Sequence, residues 1–190
     1  MIADQDRSGW FGASDTVMIM GNWNTKTFSK WWAVKLGLDR SHFTSVAMNA
    51  GTYYEGAVLD YIKAPRRDHQ ILIPGLCLRV NLDGDGPGRV DEVKTHHVDK
   101  PFKVTKAYWQ QVQVQGYAKL TVEKVVPILN IHAYGLMDED YRNFFNPIDP
   151  ARLKQYPIGY DTGFIERYLP RLKYLSECLK KGAWPDEVPH

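Results

Sequence analysis

The chain changes its hydrophobic period twice, and those changes predict its elements. Early on, apolar residues recur at helical spacing. Phe28, Trp31, Trp32, Val34 and Leu36 give residues 25–37 one apolar face, with Gly37 as the stop. Tyr54, Val58 and Tyr61 or Ile62 do the same for residues 50–62, with Glu55 on a neighbouring stripe. Ser14 and Asp15 are capping types placed just before Val17, Met18 and Ile19. The middle of the chain shifts to period two. Residues 69–74 and 76–82 read as short strands, residues 84–88 (GDGPG) reverse the chain, and Val90, Glu92 and Lys94 alternate after the turn. Residues 105–120 carry both signals. The QVQVQ core alternates, yet Ala107, Ala118, Lys119 and Leu120 favour a helix, and Tyr108, Val112 and Gln115 keep helical spacing, so a helix is expected. Residues 125–134 predict a strand, with Pro127 marking an edge or bulge. Residues 160–181 predict a helix faced by Phe164, Tyr168, Leu172, Leu175 and Leu179, which Pro170 should kink or restart. Three helices, a strand meander, a helix, a strand and a helix predict an α/β fold with a small mixed sheet. With no linker or repeat, one domain over residues 1–190 is expected.

Composition narrows the class. At 44% hydrophobic and 13% aromatic residues the chain can bury a core and is not a disordered segment. A net charge of +2 excludes a broadly polybasic surface, so a nucleic-acid face would have to be local. Two cysteines, Cys77 and Cys178, form no C-x-x-C pair, which speaks against a disulfide scaffold or zinc site. No signal-peptide pattern or membrane-length apolar run is present, so a cytoplasmic protein without membrane contact is expected.

The candidate chemistry sits at the central reversal. A hairpin that ends one strand in Asp83 and opens the next with Glu92 and Lys94 gathers two carboxylates and an ammonium. Two-metal phosphodiester hydrolysis needs that set. Asp83, Glu92 and the Val93 carbonyl would hold divalent ions, while Lys94 would orient the attacking water and offset charge on the phosphate. Asp85 is the alternative to Asp83. Arg7 and Ser14, at the start of the first helix, would suit a phosphate. Two other readings compete. D-G and G-D-G are ordinary turn residues. Asn81, Asp83, Asp85, Gly86 and Glu92 also match a calcium-loop template except at its first position, which would make a calcium-binding or non-catalytic DNA-binding module. Strand-like flanks and Pro87-Gly88 count against that loop.

The surroundings change the odds. Arg7 and Ser14 stand as R-x6-S. Gly51 to Glu55 reads G-x3-E, and Leu82-Asp83-Gly84 precedes Glu92-Val93-Lys94. Tyr108, Gln111, Val112 and Gln113 then form Y-x-x-Q-V-Q. In this order the motifs resemble those of the phage lambda exonuclease and YqaJ viral-recombinase family of PD-(D/E)-x-K nucleases, with Leu82 where the family has Pro. The resemblance implies a restriction-endonuclease-like core and a Mg2+-dependent (or Mn2+-dependent) 5′→3′ exonuclease on linear double-stranded DNA. It implies that Arg7 and Ser14 bind the terminal 5′-phosphate and that Glu55 lies beside the metals. A glutamine should point into the site, Gln111 by the Y-x-x-Q register or Gln113 by the Q-x3-Y form it makes with Tyr117. It further implies a homotrimer, a single-strand annealing partner and a phage or prophage setting. An endonuclease or a 3′-directed nuclease of the same fold is the alternative. Lys100, Lys103 and Lys106, just after the active strand, are candidates for phosphate contacts.

Overall fold

The computed structural model describes residues 8–39, 46–144 and 146–186. Helices α1 (Thr16–Ile19), α2 (Lys26–Lys35) and α3 (Val46–Tyr61) lead into strands β1 (Arg66–Ile73), β2 (Leu78–Gly86) and β3 (Arg89–His97). Helix α4 (Lys106–Glu123), strands β4 (Ile128–Leu136) and β5 (Leu153–Ile158), and helix α5 (Thr162–Lys181) follow. The five strands form one sheet in the order β1-β2-β3-β4-β5. Only the β3–β4 pair is parallel, and α4 makes the crossover between them. The expected α/β architecture with a mixed sheet between helices is what the chain adopts.

Two cores divide the packing. The larger joins α1, α2, α4 and α5 to the sheet through Phe11, Trp32, Leu78, Leu82, Val112, Leu129 and Tyr168. The smaller sets Tyr54, Val58 and Leu59 of α3 against Val93, Tyr134 and Leu136. Two glycines allow the close approaches this needs. A Cβ on Gly84 would stand 2.5 Å from Leu59 Cδ2, and one on Gly51 would stand 3.2 Å from Thr95 Oγ1. The glycines of D-G and G-x3-E therefore let α3 lie against the hairpin.

Several boundaries differ from expectation. Pro170 sits inside an unbroken α5. Ser14 and Asp15 lie in a 3-10 turn ahead of a four-residue α1, so no long helix begins there. Strand β5 carries Pro157 and little alternation, which is why the sequence pattern hid it. Among the described residues, no helix is long and apolar enough to cross a membrane.

Candidate active site

The site comes from a fork in the sheet. β2 and β3 pair only through Gly84–Gly86 and Arg89–Asp91, around the Pro87-Gly88 turn. Beyond that point β2 stays with β1, and β3 follows β4 to His97. Asp83 and Glu92 are the first residues on the two arms. Asp83 Oδ2 accepts the Val93 N–H at 2.9 Å, so a side chain replaces the missing ladder bond. A strand residue's N–H and C=O face the same edge, which turns the Val93 carbonyl into the fork as well.

The N-terminal segment fills the wedge. Phe11 makes a parallel bridge opposite Leu78, donating to Cys77 O at 2.7 Å and accepting from Arg79 N at 2.8 Å. That bridge carries the turn Ala13–Asp15 to the open arm of β2. A cavity of about 190 Å³ results, lined by Ser14, Arg79, Asn81, Asp83 and Gln111 among others. Arg79, Asn81 and Asp83 alternate onto it from β2. Asp15 also lines the cavity, but its carboxylate is taken up by buried Lys35 at 2.5 Å, Trp31 Nε1 at 2.8 Å and the Gly12 N–H at 2.7 Å.

Helix α4 closes the fork with a polar stripe at every fourth residue. Gln111 Nε2 donates to Glu92 Oε1 at 2.5 Å. Gln115 Nε2 donates to Glu92 Oε2 at 2.5 Å and to the Asn81 carbonyl at 3.3 Å, bridging both arms. Lys94 Nζ donates to Glu92 Oε1 and, at 3.3 Å, to Gln111 Oε1. One turn on, Lys119 Nζ donates to Asp85 Oδ2 and also pairs with Glu123 at 2.6 Å. Glu123 in turn receives the Gly88 N–H at 2.8 Å.

Charge is unevenly distributed over these groups. Burial, then the charges of Glu92 and Asp68, pushes Glu55 up to about 7. Burial, then Glu92 and Glu55, raises Asp83 well above the carboxylate range. Burial would lower Lys94, but the Glu92 and Asp83 carboxylates outweigh it and raise it, keeping an ammonium in place. Three acids crowd one lysine, and two of them are pushed toward keeping their protons until a cation takes the protons' place.

The structure thus brings Glu55, Asp83, Glu92, Lys94 and Gln111 together, with Ser14 across the cavity. Arg7 lies outside the described residues. Gln113 and Tyr117 are placed elsewhere. Two residues along a helix turn about 200°, so Gln113 faces away from Gln111. Its amide instead donates to Gly159 O at 2.7 Å and accepts from Asp161 N at 2.8 Å, pinning the entry to α5. Tyr117 packs half-buried in the larger core. Asp85 is fully buried and turned to Lys119, to Arg66 at 2.6 Å and to His69 at 3.2 Å. The calcium-loop side chains therefore diverge, and Asp83 is the acid at the fork. Gln115 joins the site although no sequence motif marks it. Its signal was the recurrence Gln111, Gln115, Lys119, Glu123 on a helix whose neighbours are core residues.

The donors fit a hard divalent cation in kind, being carboxylate and carbonyl oxygens crowded around one ammonium. As they stand, no three His, Cys, Asp or Glu side chains among the described residues form a metal-holding group, and Glu92 is held by Gln111, Gln115 and Lys94.

No known family model matches the chain, and no curated protein matches it in sequence. Solved structures do match in fold. The alkaline exonuclease LHK-Exo of Laribacter hongkongensis superposes with a TM-score of 0.66 at 16% identity, covering 92% of this chain and 90% of that one. Its complex with dAMP gives the same score at 17% identity and the same coverage. A candidate exonuclease from Eubacterium rectale gives 0.54 at 11% identity, covering 97% and 88%.

Proposed function

We propose that the protein is a metal-dependent DNA exonuclease working 5′→3′ from phosphorylated ends of linear duplex DNA. The fork carries this reading: Asp83, Glu92, Lys94, Glu55 and Gln111 converge beside a cavity bearing Ser14. The exonuclease structures of the same fold support it. Asp83, Glu92 and the Val93 carbonyl would hold Mg2+ or Mn2+, with Glu55 alongside, in a two-metal arrangement. Bound there, the metal supplies Lewis acidity and a water of lowered pKa. The chain's own groups do the rest. Lys94 holds its proton among the acids, positions the attacking water and balances charge on the scissile phosphate. Gln111 and Gln115 fix the Glu92 carboxylate from α4. Ser14 and Arg79, joined by Arg7, would seat the terminal phosphate and so place the first phosphodiester at the acids. Contacts of this kind read the backbone and carry little sequence preference. In this reading the protein acts as a homotrimer with a single-strand annealing partner in phage-type recombination.

The test is digestion in Mg2+ of three substrates: 5′-phosphorylated linear duplex, 5′-hydroxyl linear duplex and a covalently closed circle. Strand-specific loss from phosphorylated 5′ ends with the circle intact is expected. Cleavage of the circle would make the protein an endonuclease, and loss from 3′ ends would reverse the polarity.

A further inference from the structure

A run of aromatic rings leads away from the fork on the Lys94 side. The Lys94 ammonium lies 5.1 Å over the Tyr108 ring. Tyr108 is nearly parallel to Phe102, at 4° and 5.9 Å between centroids. Phe102 meets Tyr156 at 5.3 Å and His96 at 5.5 Å. These last three rings line a second cavity of about 410 Å³, together with Arg152 and Lys154. All four rings are only half-buried. Lys154 is exposed, as are Lys100 and Lys103 on the loop that carries Phe102, and Lys106 opens α4 beside Tyr108. Asp99 is the one acid among the lining residues.

Half-buried rings at the edge of the larger core, bordered by exposed ammonium groups, match the chemistry of single-stranded nucleic acid. Bases stack on the rings whatever their identity, and the lysines follow the phosphates. The position adds a direction. The Ser14 cavity opens from the fork at Asp83, while the aromatic run leaves it at Lys94. A strand whose first phosphate sat at Ser14 would cross the acids and continue over Tyr108 and Phe102. We propose that Tyr108, Phe102 and Tyr156, bordered by Lys154, form a stacking track for unpaired nucleotides of the cleaved strand, 3′ of the scissile bond. The track explains how an end could be drawn out of the duplex to reach acids that sit inside a forked sheet. It rests on the exonuclease reading above.

Duplex ends carrying 2-aminopurine at each of the second to fifth nucleotides of the 5′ strand, bound with Ca2+ in place of Mg2+, test it. Wild-type protein should quench the probe at one or more of these positions. Phe102→Leu keeps apolar packing without a stacking face, and should lose the quench and raise KM for duplex ends about 5- to 150-fold. It should change kcat far less, and Phe102→Trp should restore both properties. Exposed Lys154→Gln should lower the slope of log affinity against log salt by about one, without touching the fold. An unchanged quench in Phe102→Leu, or an unchanged salt slope in Lys154→Gln, would overturn the track. So would active digestion by wild type with no quench anywhere. Quenching without digestion would instead sustain the track and defeat the exonuclease reading.

Discussion

Two polar clusters share the β2–β3 hairpin and the same stripe of α4, yet they differ in how charge is balanced. Toward the turn, Asp85 is buried among Lys119, Arg66 and His69, and Glu123 completes the set. Hydrogen bonds from Lys119 and the Gly88 N–H hold Glu123 down at about 2. At the fork, Glu55, Asp83 and Glu92 share a single lysine, and two of those acids are pushed upward. One cluster has its charge balanced by the protein's own cations, all of them on Asp85 Oδ2 while Asp85 Oδ1 has no hydrogen-bond partner. The other crowds three carboxylates around one ammonium. A buried carboxylate with cations to itself is architecture; several buried carboxylates crowded on one cation mark a place where chemistry is expected.

The comparison breaks most visibly in activity. Glu92→Gln and Lys94→Met should each lower cleavage at least about 100-fold, Glu92→Gln while leaving the thermal midpoint unchanged or raised. Full activity in either variant would remove the fork from the mechanism. The reverse pattern is expected at the turn. Lys119→Met leaves Asp85 buried without its main cation and should cost about 3–5 kcal/mol of stability, read from denaturant unfolding. Gln115→Met falls between the two. It frees one oxygen of Glu92 and one β2 carbonyl, and should cost about 10–100-fold in metal affinity or activity with a smaller change in stability.

Protonation separates the clusters more finely. Glu55 has a folded-state value near 7 against the ordinary 4.5, so the folded protein holds more protons between these limits. Without divalent metal, stability should therefore fall as pH rises from about 4.5 to 7, by an amount on the order of 1–3 kcal/mol. Glu55→Gln should flatten that fall in thermal scans at pH 5 and 7.5. The smallest effect belongs to Arg66, the half-exposed outer partner of Asp85 and Glu123. Arg66→Ala should cost no more than about 1 kcal/mol.

The sequence carried the element order as far as β4 because its period changes are strong, and Asp83, Glu92 and Lys94 because E-x-K after a D-G turn is a local pattern. It could not carry the fork itself. The separation of β2 from β3 depends on Phe11 bridging to Leu78, a contact between segments distant in the chain. The choice between Gln111 and Gln113 turned on helix phase, which the QVQVQ run left ambiguous until α4 was placed. Asp83 and Asp85 look alike in sequence. Their surroundings differ through Lys119, 34 residues beyond Asp85, which pairs with Asp85. β5 stayed hidden because an edge strand containing Pro157 shows little alternation.

The central claim is that the fork's crowded carboxylates suit a divalent cation, and those of the turn cluster do not. Thermal unfolding of the wild-type protein, Asp83→Asn and Arg66→Ala across a Mn2+ titration tests it directly. Mn2+ should raise the midpoint of the wild type and of Arg66→Ala alike, following the logarithm of metal concentration, and should leave Asp83→Asn nearly unmoved. Equal stabilisation of all three proteins, or of none, would contradict the account.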